Sequence, residues 1–204
     1  MTTAIIDPAT LAAQPAAQPA HHPATPPTVT PILQTLHIPA LGALWPQQGG
    51  VFAGITTDSA GRTVAVIVPP KGVGELGLHK WGSYGREIES ARHRTDGHAN
   101  TQALLASQAN GYAHPAAAAV AAFNQAGGHG GHTDWHLPSI GDLQLAHMHC
   151  PGEFEESTYW SSTQLSAHVA FAQYFATGNS AWSLKGGEFR VRALRRIPLQ
   201  HFNA

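Results

Sequence analysis

Charge is the first thing this chain lacks. Only 11% of its 204 residues are Asp, Glu, Lys or Arg, about half the ~25% usual for soluble domains. The formal net charge is -1, which argues against a nucleic-acid binder that neutralises phosphates and against a polybasic membrane-surface protein. Cysteine is nearly absent too. With Cys150 alone, no intrachain disulfide and no Cys-x-x-Cys zinc or redox motif can form. No run approaches the ~18–20 apolar residues of a membrane-spanning helix, so membrane insertion is not expected. Met1–Asp7 carries no Lys or Arg, and prolines at 8, 15 and 19 break the apolar segment after it, so a secretory signal is not expected either.

What the chain has in excess is glycine (21), proline (15) and histidine (14). Nine prolines fall within residues 1–46, and no charged residue lies between Asp7 and Asp58. Proline fixes φ and removes a backbone donor, so residues 1–45 read as an extended, polyproline-like arm. Disordered segments usually combine low hydrophobicity with high net charge. The arm's lack of charge therefore points to attachment on a partner surface.

Residues 46–204 read as the folded domain. Val51–Thr56 and Thr63–Val68 are β-rich runs joined by Asp58-Ser-Ala-Gly61, a hairpin pattern. Residues 100–110 and 115–126 read as helices, the second with Pro115 in its first turn and Gly127-Gly128 as its stop. Ser139-Ile-Gly-Asp142 predicts a capping box opening a helix to about His149. Ala167–Ala176, Ala181–Lys185 and Phe189–Ile197 read as strands, with Gly186-Gly187 predicting a tight hairpin between the last two. This order predicts an α+β domain with an antiparallel sheet, not a Rossmann fold or a TIM barrel.

The chemistry-bearing residues are sparse. His129, His132 and His136, with His147 and His149, have spacings that could ligate zinc if the two groups converged. A flexible Gly-rich loop around His129 makes solvated or hydrogen-bonded histidines the expected outcome, and no metal or cofactor is expected. No nucleophile elbow, P-loop or Gly-x-Gly-x-x-Gly dinucleotide fingerprint is expected. Glu153, Glu155 and Glu156 read as a solvated acidic loop. Arg190, Arg192, Arg195 and Arg196 are half of the arginines. They could form an anion or acidic-glycan patch, but are expected to pair with Glu188, Asp142 or backbone carbonyls.

From Ser157 to Leu184 there is no formal charge. A surface of Ser, Thr, Gln, Asn, Tyr and Trp is the chemistry of adaptable recognition. Tyr174, Asn179, Trp182 and Ser183, flanking the Thr177-Gly-Asn-Ser180 turn signal, are the candidate ligand-binding residues. The competing expectation is that Tyr174 and Trp182 are core.

Asp134-Trp-His-Leu-Pro-Ser139, Tyr159-Trp-Ser-Ser-Thr163, Phe175-x-x-Gly178, Lys185 and Val191-Arg-Ala-Leu-Arg195 together resemble the C-terminal domain family of the Legionella collagen-like adhesin, the Lcl type. Gly49-Gly-Val-Phe52, Trp81-Gly-Ser-Tyr-Gly85, Asn100-Thr101 and Leu104 agree in order. The resemblance covers roughly residues 49–197. It implies a C-type-lectin-like fold of the formylglycine-generating-enzyme branch, seen in bacterial adhesins and in phage tail or fibre proteins. It places Trp135, Leu137, Pro138, Tyr159, Trp160, Val191 and Arg192 at scaffold positions. The calcium and sugar motifs of calcium-dependent lectins are missing, and one cysteine cannot supply the pair that formylglycine-generating enzymes use.

The expected function is a non-enzymatic binding or display protein of a bacteriophage particle, as a capsid decoration, tail-tip or fibre component. Its arm would contact virion proteins and its domain a host-surface glycan or protein, in a homo-oligomer, a trimer being favoured. The alternatives are a bacterial cell-surface adhesin and, from a different class, a formylglycine-generating-type enzyme.

Overall fold

The computed structural model describes residues 37–199; most of the expected arm lies outside them. The last residues assigned to the arm do not behave as a tether. Leu44–Trp45 form β1, antiparallel to β2 (Gly50–Thr57), with Trp45 buried against Phe52.

β2 and β3 (Thr63–Val68) make the expected hairpin. Its turn is held by the Asp58 carboxylate, which accepts from the Ala60 and Arg62 amides, both at 2.9 Å. Local side-chain to backbone bonds of this kind are why Asp favours turns. A strand not anticipated from the sequence follows, β4 (Glu75–Lys80). Against expectation, Gly72-Val-Gly74-Glu-Leu-Gly77, which runs into the first half of this strand, does have the glycine spacing of a dinucleotide-binding turn. It opens a strand, so it lacks the helix N-terminus that such a turn offers to phosphate.

Three short helices come next. In α1 (Gly97–Ser107), which starts three residues before expectation, Asp96 is the N-cap and accepts from the Ala99 amide. In α2 (Pro115–Gln125), Pro115 sits in the first turn as its missing N–H allows. In α3 (Ile140–His149), Ser139 and Asp142 form the reciprocal capping box.

The remaining strands are β5 (Thr158–Gln164), β6 (Val169–Tyr174), β7 (Asn179–Leu184), β8 (Glu188–Arg192) and β9 (Arg195–Pro198). They build two sheets, ordered β1-β2-β3-β9 and β4-β8-β5-β6-β7. The fold is α+β: two mainly antiparallel sheets and three short helices.

Two expectations about the C-terminal strands are corrected. First, Gly186-Gly187 does not close a hairpin. β8 lies on the far side of β5, parallel to it through Tyr159 and Arg190, and β6 and β5 separate it from β7. Second, Phe189–Ile197 is not one strand. β8 belongs to one sheet and β9 to the other. At the crossing, Leu194 exchanges backbone hydrogen bonds with His136, at 2.8 and 3.0 Å. Both outcomes depend on partners far away in sequence, which local turn chemistry does not encode.

The core has three parts. Trp81, Trp135, Trp160, Leu104, Val120 and Val191 pack between α1, α2 and the larger sheet. Val66, Val68, Leu143, Phe154, Tyr159 and Phe175 pack around α3. Trp45, Phe52, Ile67 and Ile197 fill the other side of the smaller sheet.

Candidate functional site

The seven scaffold residues are all buried, and their polar atoms explain why. The Trp160 indole N–H donates to the His79 carbonyl at 2.9 Å, and that of Trp135 to the His132 carbonyl at 2.8 Å. Asn124 clasps the Trp135 backbone on both sides. Leu137 donates its amide to the Thr101 hydroxyl, and the Pro138 carbonyl accepts from Ser162. Buried polar groups need such partners, because an unmade bond there costs its full desolvation.

Arg192 is 1% exposed. It donates to Glu75 and to the Pro69 carbonyl, and its guanidinium lies 4.8 Å above the Phe154 ring. Glu75 also accepts from Arg190 and from the Tyr159 hydroxyl, which makes it the hub that ties β4 to β8 and β5. Glu188, the partner expected for these arginines, does not take this role. Arg196 does find Asp142, and Arg195 finds Asp134. An open anion patch is thereby excluded, since of the four only Arg190 keeps substantial side-chain exposure, at 34%.

The uncharged stretch forms β5, β6 and β7, and β7 is the edge of the larger sheet. Trp182 is 61% exposed and Tyr174 41%, so neither is core. The β6–β7 register pairs Tyr174 with Asn179, Ala170 with Ser183, and Phe171 with Trp182. Side chains alternate along a strand. Tyr174, Asn179 and Ser183 therefore share one face and Trp182 occupies the other, beside Phe171 and Leu184. Asn179 and Ser183 are four residues apart, roughly 13 Å along the strand.

The Trp182 face is the one α3 packs on, where Gln144 donates to the Ser180 hydroxyl at 3.0 Å. Beyond the helix the face is open, and Arg94 lies 4.8 Å over the Phe171 ring. The structure thus splits the four candidate residues into a polar face and an aromatic face of one hairpin. Phe171, Leu184 and Arg94 join the aromatic face. Period-two counting from Trp182 finds Leu184 but not Phe171, which lies eleven residues away across the turn and joins this face only through the β6–β7 register; Arg94 comes from a loop without such a signal.

The Lcl C-terminal domain family model matches residues 86–195, more than half the chain, and takes in α1 to α3 and β5 to β8. The chain belongs to this family. No curated protein matches it. The hairpin and all seven scaffold residues lie within the matched part of this Lcl C-terminal domain, whereas Glu75, which clamps Arg192, lies before it.

The histidines do not converge: among the described residues no group of three or more His, Cys, Asp or Glu side chains assembles. His129 and His132 bridge each other in a small turn, and the His132 ring bonds the Gln47 carbonyl. His147 lies edge-on to Phe175, and His149 sits near Gly42 and Gly54. His136 is buried beside Asp142. Burial pushes the Cys150 thiol up to about 12, the opposite of what a reactive thiolate requires.

Another buried cation was not anticipated. Lys185 donates to the Gln164 side-chain oxygen at 2.6 Å and to the Arg86 carbonyl at 2.8 Å, with its ammonium 4.5 Å from the Trp81 ring. Its desolvation lowers the pKa to about 8. It anchors the end of β7 to the body of the domain.

Proposed function

We propose that this Lcl C-terminal domain is a non-enzymatic recognition module, displayed on a bacteriophage particle, that engages a host-surface glycan or protein through the β6–β7 hairpin. The observation that carries the binding assignment is Trp182, 61% exposed on an edge strand within a 28-residue stretch free of formal charge. Edge strands are normally protected by charges, proline or a covering element. Here the edge carries an aromatic and a leucine instead, and exposed Trp is a residue of binding hot spots. A C-type-lectin-like classification, implied by the family resemblance, fits a display role for one sheet edge. The buried, non-ionised Cys150 supports the non-enzymatic reading.

The phage assignment also rests on the resemblance and on the uncharged arm, read as the attachment segment in a homo-oligomer, with a trimer favoured. The second reading is a bacterial cell-surface adhesin, which the same hairpin would serve.

The test is adhesion of the full chain to host cells. Trp182→Ala and the Asn179→Ala/Ser183→Ala pair should each lower adhesion while leaving the melting temperature within a degree or two, because these side chains are exposed or half-buried. Unchanged adhesion in both variants would remove the hairpin as the ligand face. Fractionation of infected cells, with the protein found in purified particles or on uninfected cells, separates the two readings.

A further inference from the structure

Each sheet has two edge strands, and three of the four are guarded. β1 is two residues long and is followed by Pro46. β9 carries Arg195 and Arg196 and ends at Pro198. β4 carries Glu75 and Lys80, a break in its register between Glu75 and Leu78, and Gly77 at a φ of 85°. Short length, charge, proline and bulges are the devices that keep sheet edges from pairing with other chains. β7 has none of them: its six residues include no charge and no proline, and they pair with β6 in unbroken register. All but Ser183 are exposed.

The open side of β7 also presents unpaired backbone. Lys185 donates its amide to the His168 carbonyl at 3.0 Å, and the Ser161 hydroxyl donates to the Phe171 carbonyl at 2.8 Å, which shows that carbonyl turned towards β5. Backbone groups alternate in direction along an antiparallel ladder. Asn179, Ala181 and Ser183 therefore bond β6, while Ser180, Trp182 and Leu184 aim their N–H and C=O groups away from the sheet. Among the described residues, the one backbone partner on that side is the Gly187 amide, 2.9 Å from the Leu184 carbonyl, and a carbonyl can accept twice.

A free extended segment would have to be ordered as it bound this edge, whereas a second β7 is already fixed as a strand. Two uncharged edges also meet without like-charge repulsion. With a two-fold axis beside Trp182, that residue exchanges backbone bonds with Trp182 of the second copy, and Ser180 does so with Leu184 of the second copy, a register that uses every outward group. It sets the two indoles side by side on the open face and the small Ala181 and Ser183 opposite each other on the other face. We propose that β7 pairs antiparallel with β7 of a second copy about this axis, joining two five-stranded sheets into one. The contact is isologous, so it closes at two copies and adds to any association made through residues 1–45. It occupies the edge and leaves the faces of the hairpin open. Six residues of edge bury less than the ~1,200–2,000 Å² of a standard interface, which puts the dissociation constant at about 10 μM to 1 mM.

Sedimentation of the full chain from about 1 μM to 1 mM reads the mass with no host ligand present, so the outcome does not depend on what the hairpin binds. The mass should double across this range and grow no further. In Trp182→Lys and in Trp182→Glu the axis would set like charges opposite each other, and each variant should associate at least about tenfold more weakly. An equal mixture of the two should associate more tightly than either alone, because unlike charges then face each other. Trp182 is 61% exposed, so both variants should keep the parent melting temperature within a degree or two. Three results would overturn the proposal: a mass that fails to double by about 1 mM or grows past doubling, doubling at the parent affinity in both variants, or a mixture that associates no more tightly than its components.

Discussion

Single residues in this domain divide by whether their polar atoms are satisfied. Trp160 and Trp182 show the contrast, one fully buried with its indole N–H bonded and the other mostly in water. Trp160→Ala should cost about 3–5 kcal/mol in denaturant unfolding, because it removes a large core side chain and leaves a cavity. Trp182→Ala should cost no more than about 0.5 kcal/mol. His114 is a third kind: 1% exposed, edge-on to Trp81, with neither ring nitrogen paired. Burial and the nearby Lys185 charge lower its pKa from 6.5 to about 4. Between those values the unfolded chain binds a proton that the folded domain does not, so stability falls as pH falls through this window. In His114→Phe the slope of unfolding free energy between pH 6.5 and 4 should shrink; an unchanged slope would assign the acid sensitivity elsewhere.

At the scale of elements, α3 is the piece that both sheets use. It packs on β2 and β3 of one sheet and on β5 and β6 of the other. Its capping box is buried, with the Ser139 hydroxyl and amide both donating to Asp142 at 2.8 Å. Asp142 in turn receives Arg196 from β9. Ser139→Ala should therefore destabilise the domain by about 1–2 kcal/mol, at the upper end for a cap, since Asp142 also loses a donor. Denaturant unfolding measures it. A loss of a few tenths would mean that Arg196 alone keeps the helix start in place.

For the whole molecule, the acid response should be broader than His114. Asp96 is lowered to about 2 by the amides of Ala99 and Ser59, the Ser59 hydroxyl and the Arg196 charge, which outweigh its burial. Asp142, drawn down chiefly by Arg196, and His136, drawn down by burial, move in the same direction. Each group binds fewer protons folded than unfolded. The melting temperature should fall from near pH 6.5 downward and fall further between about pH 4 and 2. Truncation is the second whole-molecule test. Removing residues 1–36 leaves β1 and its pairing with β2 intact, so the remaining chain should keep the parent melting temperature. Under the proposed role it should no longer join the particle; normal incorporation would discard the arm as the attachment segment.

How much of this was legible beforehand depends on distance along the chain. The β2–β3 turn, the Pro115 start of α2 and the Ser139–Asp142 box rest on contacts within four residues, so the amino-acid order determines them. Family membership was legible too, because the Trp135 to Pro138 and Tyr159 to Trp160 motifs are short runs of sequence, although their side chains bond to partners as distant as His79 and Glu75. The tertiary structure alone placed Glu75 against Arg192 across 117 positions, moved β8 to the far side of β5, and passed the Phe189–Ile197 segment from one sheet to the other. It also decided that Trp182 and Tyr174 lie on opposite faces of one hairpin, because their separation of eight residues includes a turn whose register restarts the alternation. Local hydrogen-bonding chemistry fixes which segments are helix, strand or turn, whereas the order of strands in a sheet is selected by burying Trp160, Val191 and Arg192 together.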